Sequence, residues 1–238
     1  MKRRLVRIAA AARSGTLYIA GVLRRVGLKV GHEYVGEAGT SSHFFVSSRI
    51  PYPVLKSKSP PGRCVHVGER PQDFSFDHVF HQVRHPLKVV DSLRWTGVNR
   101  AMLAACNIAD MHTRDSLSRA VRYCYGWNLL CESQAEWMYR IEDIDVVFPE
   151  MCNRLGIEPR PVPSVSRTTH HSRRWLNPMY ATNVYATKGE GKSARIPYPD
   201  KRRIVEASPC VSWGDMERAE PEYTPHLKAM AVRYGYAP

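Results

Sequence analysis

One short stretch constrains the fold more than any other: Arg13-Ser14-Gly15-Thr16, set between the run Leu5-Val6-Arg7-Ile8-Ala9-Ala10-Ala11 and the apolar, helix-compatible stretch Leu17 to Val26. The order reads as a strand, a tight glycine turn and a helix. The first N–H groups of a helix have no intrahelical acceptor, and its dipole puts partial positive charge at the same end. Such a turn is therefore an anion site built from backbone. Arg13 adds a forked guanidinium, and Ser14 and Thr16 add hydroxyl donors. The chemistry points to a phosphate or sulfate ester, although the same order of elements also makes a plain βα corner.

A second segment, His78-Val79-Phe80-His81-Gln82-Val83-Arg84-His85-Pro86-Leu87-Lys88-Val89-Val90-Asp91-Ser92-Leu93, favours the anion reading. Its β-like run should stop near His85, because Pro86 has a fixed φ, lacks an N–H and suits the first turn of a following helix. Arg84 then ends a strand, and Ser92 lies about two turns into the helix. The two can close on one ligand group only if the helix runs beside the strand end. The plainer alternative is an Arg84 that caps an acidic neighbour and a Ser92 on the helix surface.

Together the segments resemble the sulfotransferase family, enzymes that use 3′-phosphoadenosine 5′-phosphosulfate. In that family a first strand ends in Lys/Arg-Ser-Gly-Thr, which holds the 5′-phosphosulfate; here this is Arg13, Ser14, Gly15 and Thr16, followed by Leu17. A later strand ends in Arg-x-Pro before a helix bearing a Ser, and that pair holds the 3′-phosphate; the matching residues are Arg84, Pro86 and Ser92. Where cytosolic members stack a Trp on adenine, this chain has Tyr18. Tyr139-Arg140-Ile141-Glu142-Asp143 is similar to a further family strand end, and Gly31-His32-Glu33 looks like a Gly-His-Glu of many bacterial carbohydrate-type members. The resemblance runs from about Ile8 to Leu155 and is closest to bacterial or viral members. It implies a P-loop NTPase-like sulfotransferase architecture, a donor nucleotide as co-substrate, and a hydroxyl acceptor that is expected to be a carbohydrate.

Sulfuryl transfer should resemble phosphoryl transfer, in line and loose, with negative charge gathering on the leaving bridging oxygen. Arg13 and the amides at Gly15 and Thr16 are placed to stabilise that oxygen. Glu33 is the first choice for the base that takes the acceptor proton, since its strand delivers it to the same sheet edge, and His32 is the second. No carboxylate pair suited to magnesium is recognisable, so no metal is expected. His170-His171 has no acidic or cysteine partners and is read as surface rather than as a metal site. The family's basic loop over the 3′-phosphate has two rough counterparts, Arg173-Arg174 and Lys188-Gly189-Glu190-Gly191-Lys192, and the choice stays open.

Alternation of strands (Leu5 to Ala10, Leu28 to His32, Cys64 to Val67, Val79 to Arg84, Met138 to Ile141) with helices (Thr16 to Val26, Leu87 to Trp95, Ser116 to Glu136, Val146 to Leu155) argues for an α/β fold. A parallel sheet flanked by helices, with ligands at the strands' carboxyl ends, is the expected form. At 238 residues, one domain over 1–238 is expected, most irregular at 159–210.

The formal charge of +13 is the compositional outlier, and it suits a polyanionic nucleotide, an acidic glycan, nucleic acid or an anionic membrane surface. Two other classes compete with the sulfotransferase reading. A P-loop-type nucleotide-dependent kinase would need a Gly-Lys-Ser/Thr loop, and Gly191-Lys192-Ser193 lacks both the earlier glycine and a preceding strand. A basic nucleic-acid-binding protein would show zinc spacing or an aromatic RNP pattern, and neither is present.

No stretch is long and apolar enough for a membrane span. Met1-Lys2-Arg3-Arg4 imitates a signal peptide, but Arg7 and Arg13 interrupt the apolar run and cleavage would remove the loop. The six cysteines show no metal or redox spacing, so reduced thiols in a cytoplasm are expected.

Overall fold

The computed structural model describes residues 5–43, 45–46, 74–96, 98, 100–106, 115–165 and 210–237. In chain order the elements are β1 (Val6–Ala10), α1 (Thr16–Arg25), β2 (Gly31–His32), β3 (Gly39–Ser42), β4 (His78–Val83), α2 (Pro86–Thr96), α3 (Arg100–Ala105), α4 (Ser116–Glu132), β5 (Trp137–Arg140), α5 (Ile144–Arg154), α6 (Trp213–Ala219) and α7 (Thr224–Arg233). All strand pairings are parallel, and the five-stranded order is β2-β3-β1-β4-β5. The chain thus starts at the centre, fills one side with β2 and β3, and then crosses to the other with β4 and β5. The reversal of direction lies at the carboxyl end of β1, where the Arg13 loop begins. In open α/β sheets that is where ligand crevices form.

Every residue of β1 is buried, as a parallel strand covered on both faces requires. Val6 and Ile8 join an apolar cluster with Ile19, Val22 and Leu23 of α1 and Phe148 and Met151 of α5. Ala9 belongs to the opposite cluster, built from Val89, Val90 and Leu93 of α2, Tyr123 and Trp127 of α4, Met216 of α6 and Leu227 of α7. The sheet is therefore sandwiched between two helical layers. Two helix starts are set by readable chemistry. Pro86 opens α2, and the Asp115 carboxylate accepts from Leu117 N–H (2.7 Å) and Ser118 N–H (3.0 Å) at the start of α4.

The structure departs from the sequence expectations in three respects. The second strand shrinks from Leu28–His32 to Gly31–His32, because a tight turn with Val30 N–H on the Leu28 carbonyl (2.7 Å) takes up its first half. The long helix ends at Glu132 rather than Glu136, since Glu136 N–H already donates to the Val79 carbonyl (3.0 Å) and leads the chain into β5. Strand β3 and helices α3, α6 and α7 are additional elements. The expected strand Cys64–Val67 lies outside the described residues. In β3, Gly39 sits at φ 117°, and a Cβ there would fall 1.9 Å from the Val6 carbonyl oxygen. Only glycine permits this approach of β3 to β1.

Candidate functional site

The carboxyl ends of β1, β2, β3, β4 and β5 share one edge of the sheet, because all five strands run parallel. From β1 the chain turns through Ala11 to Gly15, with Ser14 N–H on the Ala11 carbonyl (3.2 Å), and enters α1 at Thr16. Gly15 caps the helix in the left-handed region (φ 92°) with no side-chain cap, and the first turn carries no acidic residue. The first turn of α1 thus opens on this edge with its dipole unopposed by any acid of its own. Arg13 is also left-handed, at φ 73°. For a residue with a Cβ that conformation costs energy and persists only when its surroundings hold it.

Those surroundings join the two segments singled out in the sequence. The Arg13 guanidinium donates through Nε to Ser92 Oγ (2.8 Å), and the Arg13 carbonyl accepts from Arg84 NH1 (2.8 Å). Arg13, Arg84 and Ser92 therefore meet, as a helix α2 running beside the end of β4 requires. Buried Gln82 adds a connection the sequence did not announce: its amide donates to the Ser14 carbonyl (2.6 Å) and accepts from Tyr139 hydroxyl (2.7 Å). From the other layer, Ala12 N–H donates to the Tyr123 hydroxyl (3.0 Å), and the Trp127 indole N–H donates to the Ala10 carbonyl (3.1 Å). The loop's backbone is thus fixed from β4 and from α4.

Thr16 connects this loop to the neighbouring strand ends. Its hydroxyl lies 3.1 Å from His32 Nε2, and its carbonyl accepts from Ser41 Oγ (2.9 Å). Glu33, one residue beyond β2, is the other non-glycine residue with positive φ (61°) among the described residues. Its Oε1 bonds His43 Nδ1 (2.7 Å) and lies 3.4 Å from His32 Nε2, while Oε2 accepts from Ser42 Oγ (2.5 Å). Burial works against the charged carboxylate, but His43 as a charge and hydrogen-bond donor, His32 as a charge, and the Ser42 hydroxyl outweigh it. The carboxyl is held down to about 2. His43 is a residue that sequence reasoning missed. No local motif marks it, and its bond to Glu33 arises from strand pairing.

Leu17 and Tyr18 stand half-buried in the first turn of α1, and Tyr18 packs against the α1–α5 apolar cluster. Beyond β5, the Glu142 carboxylate accepts His85 N–H (3.1 Å) and the Tyr236 hydroxyl (2.8 Å), tying the turn after Arg84 to the C-terminal segment. The basic stretch with Arg173-Arg174 and Lys188 to Lys192, and with it the choice of lid, lies outside the described residues.

The described cysteines Cys106, Cys124, Cys131, Cys152 and Cys210 are free, and burial pushes the Cys124 thiol up to about 12, away from reactivity at neutral pH. Among the described residues no cluster of His, Cys, Asp and Glu side chains is arranged to hold a metal ion, and no helix is long and apolar enough to cross a membrane. No protein-family model, curated protein or solved structure matches the chain.

Proposed function

We propose that the chain is a sulfotransferase that moves a sulfuryl group from 3′-phosphoadenosine 5′-phosphosulfate to an acceptor hydroxyl, with a carbohydrate as the acceptor the sequence resemblance implies. One observation carries the reading: Arg13 bonds both Ser92 and Arg84. The loop suited to a phosphosulfate and the Arg–Ser pair suited to a second phosphate are thereby joined through a single residue, at the crevice where strand order reverses. A nucleotide with phosphates at both its 5′ and 3′ positions asks for two adjacent anion sites of this kind.

In this reading the Arg13 guanidinium and the N–H groups at Gly15 and Thr16 stabilise the charge that gathers on the bridging oxygen as the sulfuryl group leaves. Arg84 and Ser92 hold the 3′-phosphate. Tyr18, on the first turn of α1, offers a ring for the adenine. The acceptor proton passes to the carboxylate–imidazole cluster around Glu33 and His32, which Thr16 couples to the anion loop.

Calorimetric titration with adenosine 3′,5′-bisphosphate tests the proposal. Binding is expected, and Arg84→Ala should weaken it by about 1.5–3 kcal/mol, the cost of losing a charge-assisted contact. Unchanged affinity in that variant would refute the 3′-phosphate assignment. Parallel titrations with ATP plus magnesium and with an oligonucleotide at moderate salt separate the competing classes. Preference for ATP would mark a kinase, and preference for the oligonucleotide a nucleic-acid-binding protein.

A further inference from the structure

We infer that Tyr236, near the end of the chain, is a positioning residue for the 3′-phosphate contact and holds Arg84 in place through Glu142; the inference rests on the sulfotransferase reading above. The sheet ladder stops one residue short of Arg84. Val83 and Arg140 are the last register pair of β4 and β5, and Arg84 follows beyond them. The next backbone amide, His85 N–H, donates instead to Glu142 Oε1 (3.1 Å), a side chain from the turn just past β5. That amide shares one peptide plane with the Arg84 Cα and carbonyl. Glu142 therefore fixes the direction in which the chain leaves Arg84, before Pro86 opens α2.

The C-terminal segment in turn holds Glu142. Helix α7 closes in a Schellman motif: Tyr236 N–H donates to the Ala231 carbonyl (2.9 Å) and Gly235 N–H to the Val232 carbonyl (2.8 Å), with Gly235 left-handed at φ 79°. Past that turn the segment packs on β4 and the corner after it. Tyr234 meets His81 edge-on (ring centroids 5.6 Å), and Tyr236 meets His85 (4.9 Å). The Tyr236 hydroxyl donates to Glu142 Oε2 (2.8 Å). Arg140 secures the same segment, its guanidinium donating to the Gly235 carbonyl and lying 5.4 Å from the centre of the Tyr236 ring. Burial and the Glu142 carboxylate push the phenol above its ordinary value, so it remains a donor at neutral pH.

Arg84 is thus fixed at both ends: its tip donates to the Arg13 carbonyl (2.8 Å), and its peptide is held by Glu142. Without the Tyr236 hydroxyl, Glu142 keeps only the His85 amide and a distant ammonium, Lys88 Nζ at 3.8 Å, and the base of Arg84 loosens. The 3′-phosphate must then order the corner as it binds, and that ordering lowers affinity. The anion loop has its own supports in Gln82, Tyr123 and Trp127, so the loss is confined to the 3′ end of the nucleotide.

The test titrates the full chain with adenosine 3′,5′-bisphosphate and with adenosine 5′-monophosphate, which differ only in the 3′-phosphate. Tyr236→Phe keeps the ring against His85 and removes the hydroxyl alone. It should weaken the bisphosphate by about 3- to 10-fold and change the monophosphate by less than about twofold, a selectivity that general loosening of the fold would not produce. Glu142→Gln should show the same selective loss. Placed on Arg84→Ala, Tyr236→Phe should cost nothing further, because the residue it positions is gone. Unchanged bisphosphate affinity in Tyr236→Phe would overturn the inference. So would equal losses for the two nucleotides, or losses that add in the Arg84→Ala background. Failure of the sulfotransferase reading is distinguishable, because it appears in the wild-type chain as a bisphosphate bound no more tightly than the monophosphate.

Discussion

Gln82 is a buried side chain that holds the loop between β1 and α1, and Gln82→Leu tests that directly. The wild-type amide is buried, donating to the Ser14 carbonyl at 2.6 Å and accepting from the Tyr139 hydroxyl at 2.7 Å. Leucine nearly conserves the volume, so little cavity forms. It leaves two buried polar groups with their partner removed, each costing about 1–3 kcal/mol. The expected loss is therefore about 2–6 kcal/mol in a urea titration followed by circular dichroism. In a chain of this size that is a fall in Tm of about 4–24 °C, at roughly 2–4 °C per kcal/mol. Tyr139→Phe removes only the second bond and should cost about 1–2 kcal/mol. In the double variant the Tyr139 hydroxyl is gone, so one of the two penalties of Gln82→Leu disappears with it. The double variant should then fall short of the sum of the single losses by about 1 kcal/mol or more. Additive losses, or a Gln82→Leu variant within about 0.5 kcal/mol of wild type, the size expected of an ordinary surface change, would refute the reasoning.

Two further outcomes follow from the same structure. Gly39→Ala should destabilise by more than about 3 kcal/mol, since it combines a left-handed φ with a Cβ 1.9 Å from the Val6 carbonyl oxygen. Gly27→Ala, left-handed at φ 92° but with open space around it, should cost only about 1–2 kcal/mol; equal losses in urea titrations would contradict the steric account. Acid stability should show two limbs. Burial holds the His81 imidazole down to about 4 against an ordinary 6.5, so the unfolded chain binds its proton first and stability falls as pH drops from 6.5 towards 4, by up to about 1.4 kcal/mol per pH unit; Glu33, held to about 2 against 4.5, contributes stability above 4.5 that is lost as pH falls towards 2. His81→Gln should flatten the first limb and leave the second, and an unchanged first limb in pH-dependent urea titrations would remove His81 as its source.

What was legible in the sequence is what local chemistry encodes. The β1–loop–α1 unit and the β4–α2 corner are marked by Gly15 and Pro86, residues whose backbone preferences need no distant partner. Strand β3 was not legible. Gly39-Thr40-Ser41-Ser42 has no apolar alternation and a single β-branched residue, Thr40, and it is a strand because Gly39 admits the backbone of β1 and the sheet then buries the hydroxyl residues. His43 was lost with it, since its link to Glu33 exists only once β2 and β3 pair. The Glu142–Tyr236 bond joins residues 94 positions apart and leaves no local trace. Helix α6 is different, because Ser212 and Asp215 form a capping box whose spacing stands in the sequence and was there to be read.

The two left-handed residues show where the fold and the proposed chemistry pull against each other. Arg13 and Glu33 each hold a conformation that glycine adopts freely and that costs other residues of order 1–3 kcal/mol. The strain is local, and so is what holds it. Around Arg13, Arg84 takes its carbonyl, Ser92 takes its guanidinium, and Tyr123 and Gln82 fix the flanking backbone. Around Glu33, the Ser41 carbonyl takes its N–H while Ser42 and His43 take its carboxylate. A fold needing only two tight turns would be served better by glycine at both positions. The chain instead sets a permanent cation at one and a permanent anion at the other, joined through Thr16 and His32 at the end of the central strand. The proposed transfer reaction has use for that arrangement: a cation where negative charge leaves, and an anion beside the imidazoles at the neighbouring strand ends.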